Sequence, residues 1–244
     1  AQGFNVVTSI GAMAEVVTGT SIPVQSSFYY VVSILVVGLA ALIAFGGIKR
    51  VTRATDAMVP VMAVVYVGTV LFLIVTNLHR VPYFFEAVFA GAFKPEAVFG
   101  GAFGVALVQG VKRGLMSNEA GQGTITMAAA AADARNPCEQ GLVGALGVFL
   151  DTHIICTMTG FVVIMAQQWS ANPAGWEAAG TYPKFMLSIH AMAPGALDTV
   201  AMFLVSLCFC LFAYTTMVGM ITFSEIAANR ISSTPALIHS IRLL

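Results

Sequence analysis

The chain has 244 residues, of which 58% are hydrophobic and only 9% charged, with a mean hydropathy of +0.88. A soluble domain carries about 25% charged residues, so this chain lacks the polar surface to dissolve and reads as an all-α polytopic membrane protein. Eleven basic and eleven acidic residues cancel, which removes the basic surface that a nucleic-acid-binding protein needs and leaves the lipid bilayer as the expected surrounding partner.

Taken in chain order, residues 1–15 read as the outer end of a partial helix that begins before the chain does. Uncharged stretches then mark the spans, since roughly 20 apolar residues cross a bilayer. The first covers about Ser27–Ile48, and Lys49, Arg50 and Arg53 follow at once, opposed only by Asp56. The second covers about Ala57–Leu78, with Pro60 in its first turn, where proline is tolerated. An amphipathic connector, residues 79–96, carries Tyr83, Phe84, Phe85 and Phe89 among scattered charges. A broken span follows at about 97–132, and a fourth span at about Gly141–Ala166 is interrupted by Asp151, Thr152 and His153. A polar connector with Trp169 and Trp176 leads to a fifth span, about Asp198–Phe223. Another apolar segment opens at Pro235, so the chain reads as an internal piece of one transmembrane domain, residues 1–244. Basic residues in short loops place the Lys49–Arg53 loop in the cytoplasm. Alternation then puts residues 79–96 and 167–197 outside and residues 133–140 and 225–234 inside, with both tryptophans at the outer interface.

The broken span carries most of the argument. Lys112-Arg113-Gly114-Leu115-Met116-Ser117-Asn118-Glu119-Ala120-Gly121-Gln122-Gly123 is a charged, glycine-rich run between two apolar arms, residues 97–111 and 120–132. At about 1.5 Å per residue each arm reaches roughly 20 Å, against a hydrocarbon core of roughly 30 Å. One interrupted helix places both arms and the polar run in a single span. Unwound backbone survives at membrane depth only where it is buried or lines a cavity, and such a discontinuous helix points to a transporter's binding site. A channel is disfavoured because nothing repeats like a selectivity filter. An enzyme would need a nucleophile–base set or a metal motif such as His-Glu-x-x-His, and neither appears. Cys138, Cys156, Cys208 and Cys210 have no disulfide or zinc spacing and read as small packing residues.

The run from Arg113 to Thr124 and the alanine tract 128–132 resemble the alanine or glycine:cation symporter family, the sodium:alanine symporters. So do Gly147-Val148-Phe149-Leu150-Asp151-Thr152 and Phe212-Ala213-Tyr214-Thr215-Thr216 ahead of Glu225. The resemblance implies a leucine-transporter-like fold of two inverted five-helix repeats, of which this chain would hold about five spans. It implies sodium-coupled symport of a small neutral amino acid, alanine or glycine, by alternating access, with proton coupling as the alternative ion. It also implies a multi-pass protein of a prokaryotic inner membrane, expected to work as a monomer. Two departures stand out. Met116 replaces the usual phenylalanine, and Thr8 and Ile10 stand where many members carry a glutamine and an asparagine.

A zwitterionic substrate needs donors for its carboxylate and acceptors for its ammonium, and an unwound helix offers both. On this reading Thr8, Met116, Ser117, Asn118 and Gly121 face the substrate. The hydroxyls of Thr215 and Thr216 with the Phe212 carbonyl form a hard oxygen set suited to sodium, or else bond back to the preceding turn. Arg113 and Glu119 are expected to be a gating or structural pair. Asp151 with Thr152 is either a packing set or a proton-sensitive switch, and His153 is expected to make one interhelical bond.

Overall fold

The computed structural model describes residues 2–20, 22–23, 26–93, 103–117, 123–178, 181–193, 195 and 197–231, and its regular elements there are all helices. Four stretches are long and apolar enough to cross a membrane: Ser27–Ala44, Lys49–Thr76, Pro137–Ala166 and Leu197–Asn229. The architecture is that of a polytopic membrane protein. The chain divides into two compact units, one of residues 1–69 and 193–244, the other of residues 70–192.

In the first unit, α1 (Gln2–Thr18) and α2 (Ser27–Ala44) pack on each other and on α12 (Leu197–Ile231). Ser26 caps α2 by accepting from the Phe28 amide, which fixes the helix start. Lipid tails are as apolar as leucine, so helices in a membrane associate by shape and by small residues rather than by hydrophobic burial. Gly11 is the clearest case: a Cβ there would fall within 3.0 Å of three atoms of Tyr29, so the α1–α2 approach depends on its missing side chain. Val6, Val32, Val36 and Ala213 are buried together in this packing.

The next helix, α3, runs from Ile48 to Thr76 and starts in the first unit. Gly47 turns the chain with φ +74 just before it. The second span therefore begins earlier than its apolar composition suggests, and Pro60 lies in the helix interior rather than in the first turn. Thr52 and Thr55 bond their hydroxyls to the preceding turn, so the basic segment stays helical. Tyr66 is 2% exposed and meets Phe209 and Phe212 edge-on, at 6.5 and 5.8 Å between ring centres.

The second unit holds a 3-10 turn at Leu78–Arg80, then α4 (Val81–Phe93), α5 (Phe103–Ser117), α6 (Thr124–Ala131) and α7 (Pro137–Phe149). A π-helical segment, Leu150–Cys156, leads into α8 (Thr157–Ala166), followed by α9 (Gln168–Ala171), α10 (Pro173–Ala178) and α11 (Thr181–Met192). Asn136 caps α7 by accepting from the Glu139 amide, and Pro137 occupies the first turn. The Phe84 ring on α4 stacks on Phe161 of α8 at 3.7 Å. Phe185, Met186 and Ile189 of α11 are buried, as are Val162, Met165 and Ala166 of α8, and these two helices pack together. Asn77, itself buried, donates from Nδ2 to the carbonyls of Leu73 at 2.9 Å and Met192 at 2.8 Å, tying the end of α3 to the end of α11.

Of the cysteines read as packing residues, Cys208 is buried and Cys210 half-buried, whereas Cys138 and Cys156 are exposed. Cys138 lies in the first turn of α7 and Cys156 at the end of the π segment, so neither is in a packed core.

Candidate functional site

Gly123, just before α6, has a φ of +82, which no α-helical run passes through. The polar run is not unwound throughout. Lys112 to Ser117 are helical, the last residues of α5. Glycine is a poor helix former, yet Gly114 lies within this helix. Asn118, Glu119 and Gly121 lie outside the described residues.

At its final residue α5 meets the π segment. Ser117 Oγ donates to Asp151 Oδ2 at 2.9 Å and lies 2.8 Å from Thr152 Oγ1. Cys156 Sγ stands 3.7 Å from Ser117 Oγ and 4.0 Å from Asp151 Oδ2. The π turn explains why these groups share a face. Backbone bonds that run five residues back widen the Leu150–Cys156 segment and re-aim its side chains, and Thr157 Oγ1 donates to the Thr152 carbonyl at 3.3 Å. π-Bulges recur at functional sites, and an acid inside an apolar span is a functional candidate on energetic grounds alone. The contact spans 34 residues of sequence, and Cys156 joins a polar cluster rather than a core.

The remaining candidates sit as follows. Met116 and Arg113 are exposed on α5. His153 stacks on Phe149 at 4.8 Å between ring centres, one turn earlier in its own span, and among the described residues makes no bond across helices. In the first unit, Thr8 Oγ1 donates to the carbonyls of Phe4 and Asn5 at 2.9 and 3.1 Å. Thr8 lines a cavity of about 350 Å³ together with Phe4, Tyr29, Ser33, Val36 and Met217. Thr215 Oγ1 donates to the carbonyls of Leu211 and Phe212 at 2.9 and 3.1 Å, and Thr216 Oγ1 to that of Phe212 at 2.8 Å. The three oxygens expected to act together are thus adjacent, joined by hydrogen bonds within α12. Sequence reading passed over Asn77, since an asparagine at a helix end looks like an ordinary cap.

The family model for the sodium:alanine symporter family matches residues 1–244. An amino-acid carrier protein of Bacillus subtilis is 38% identical over 195 residues, 80% of this chain and 40% of that protein. A sodium/alanine symporter of Methanococcus maripaludis is 38% identical over 192 residues, 79% of this chain and 41% of that protein. A sodium/proton-dependent alanine carrier protein of Bacillus strain PS3 is 34% identical over 194 residues, 77% of this chain and 43% of that protein. The chain thus spans about two fifths of the length of these curated relatives, which are transporters and not enzymes. With the family model matching from end to end, the chain belongs to the sodium:alanine symporter family.

Proposed function

We propose that residues 1–244 form part of a single transport domain that couples sodium entry to uptake of a small neutral amino acid, alanine or glycine, across a prokaryotic inner membrane. The observation that carries this reading is the interrupted span: a helix stopped no later than Gly123, with Ser117 beside Asp151 and Thr152 at its polar edge. A substrate's ammonium and carboxylate both find partners in such a break, and its methyl or hydrogen side chain needs only an apolar wall. Met116, Ser117, Asn118 and Gly121 supply that wall and those partners, with Thr8 contributing from α1. Arg113 and Glu119 act as a gating pair. Phe212, Thr215 and Thr216 hold sodium, the transported coupling ion. The fold that supports alternating access is the leucine-transporter type of inverted repeat, and the protein works as a monomer. The relatives' names support cation-coupled amino-acid carriage.

Proton coupling is the second reading, favoured by one observation: a carboxylate, Asp151, inside a helix long and apolar enough to cross a membrane and bonded to the Ser117 hydroxyl. Bulk at Gly121 tests the site. In the full-length protein, Gly121→Leu should abolish uptake of radiolabelled alanine while membrane insertion persists. Normal uptake would remove the substrate from this break.

A further inference from the structure

We infer that the turn between α2 and α3 is a binding site for the headgroup of an anionic phospholipid, held by Lys49, Arg50 and Arg53. The inference needs only that α2 and α3 cross the bilayer, and it is independent of the substrate and the coupling ion. At about 1.5 Å per residue the 18 residues of α2 reach roughly 27 Å, close to the hydrocarbon core alone. The 29 residues of α3 reach roughly 43 Å, which matches the core together with both headgroup layers. The Gly46-Gly47 turn and the first turns of α3 therefore lie at headgroup depth. Val51 is buried with Ala40 of α2 and Val218 of α12, so the start of α3 has a fixed inner side. At about 100° per residue, positions 49, 50 and 53 all fall on the other side, and all three cations are exposed. Side chains on a helix lean toward its N-terminus, which here aims them at the headgroups rather than at the lipid tails.

Gly46 seats one of the three. A Cβ there would fall within 3.0 Å of three atoms of Arg50, so the bare backbone of Gly46 gives the arginine stem its place against the turn. Gly47 turns the chain with φ +74, whereas Gly46 has no positive φ, so at Gly46 it is the missing side chain that matters and not the backbone conformation. A guanidinium held in this way presents a planar fork that matches two phosphate oxygens, while lysine adds a point charge. Among the described residues none of the three cations is in an ion pair. Asp56 is exposed on the same side of α3 and opposes them, which leaves Lys49, Arg50, Arg53 and Asp56 with a net charge of two. A lipid with two phosphates, of the cardiolipin type, balances that charge, and a zwitterionic lipid does not. Leu35, Leu39 and Leu42 recur at helical spacing along α2 and are each more than half exposed. They form an apolar stripe that leads to the turn and suits the acyl chains of the same lipid.

Native mass spectrometry of the purified full-length protein, titrated with cardiolipin or with phosphatidylcholine, is the test. Wild type should bind cardiolipin roughly thirtyfold more tightly than phosphatidylcholine, the factor that two net basic charges supply at a lipid surface. Arg50→Gln should weaken cardiolipin binding about fivefold. Gly46→Ala keeps every charge and should lose as much, and the double variant should lose no more than Arg50→Gln, because the alanine acts through the arginine. Thermal melts show which variants are folded. If Gly46→Ala is not, Arg50→Lys takes its place, since it keeps the charge without the fork and should also weaken cardiolipin binding. Wild-type cardiolipin affinity in Arg50→Gln, in a folded Gly46→Ala, or in Arg50→Lys where that variant decides, would overturn the seated site in favour of diffuse surface charge. Equal affinity of the wild type for the two lipids would overturn the site altogether. Displacement of cardiolipin by soluble glycerophosphate at the same concentration would overturn it in favour of a site for free anions.

Discussion

Two hydroxyls that donate into the same carbonyl carry the sodium reading in α12. Thr215 and Thr216 both bond Phe212, yet a hydroxyl oxygen keeps two lone pairs when it donates, so ion binding and the intrahelical bond are compatible. Thr216→Ala and Thr215→Ala should each raise the sodium concentration for half-maximal uptake several-fold. At low sodium the apparent substrate affinity should fall in step, because the coupling is reciprocal. Sodium titration of uptake in proteoliposomes checks this, and wild-type dependence in both would make the pair structural. Asn77 makes a different kind of prediction. Its amide satisfies two carbonyls in a buried position, so Asn77→Ala should destabilise the protein by about 1–3 kcal/mol, read as a lower melting temperature. An unchanged melt would mean that α11 is held by its apolar contacts alone.

At the scale of the helix, Gly123 carries the interruption. A side chain at φ +82 costs about 1–2 kcal/mol, so Gly123→Val should lower the melting temperature and impair uptake, whereas Gly68→Ala, where nothing lies near an added Cβ, should not. Equal behaviour of the two variants would take the left-handed turn out of the account. What was legible in the sequence divides along the same lines. The start of α2 at Ser27 follows from an uncharged run, which reads directly, while the Ser26 cap emerges only in the structure. The start of α3 did not, because Lys49, Arg50 and Arg53 look like a loop while threonine back-bonding and long basic side chains that reach water let the helix continue through them. Apolar arms on either side of a polar run suggest a broken span, but composition could not say that residues as far as Ser117 stay helical. The Ser117–Asp151 bond was invisible for a geometric reason: it joins positions 34 apart through a π turn, and hydropathy carries no signal for an extra residue in a helical turn.

Across the molecule, the account rests on orientation as much as on contacts. The proposed orientation puts the Lys49–Arg53 cluster in the cytoplasm and the connector of Trp176, which Lys184 approaches to 5.2 Å from the ring centre, outside. Single cysteines at Lys49 and at Trp176, in a background cleared of the four native ones, should label from opposite sides of the membrane. Labelling of both from outside would overturn the topology and, with it, the inverted-repeat reading. The central claim, cation-coupled carriage of a small amino acid, is tested most directly by radiolabelled alanine uptake into proteoliposomes of the full-length protein under an imposed inward sodium gradient. The account predicts accumulation above equilibrium that collapses when the gradient is dissipated or sodium is replaced by choline. Uptake that only equilibrates, indifferent to the sodium gradient, would contradict it.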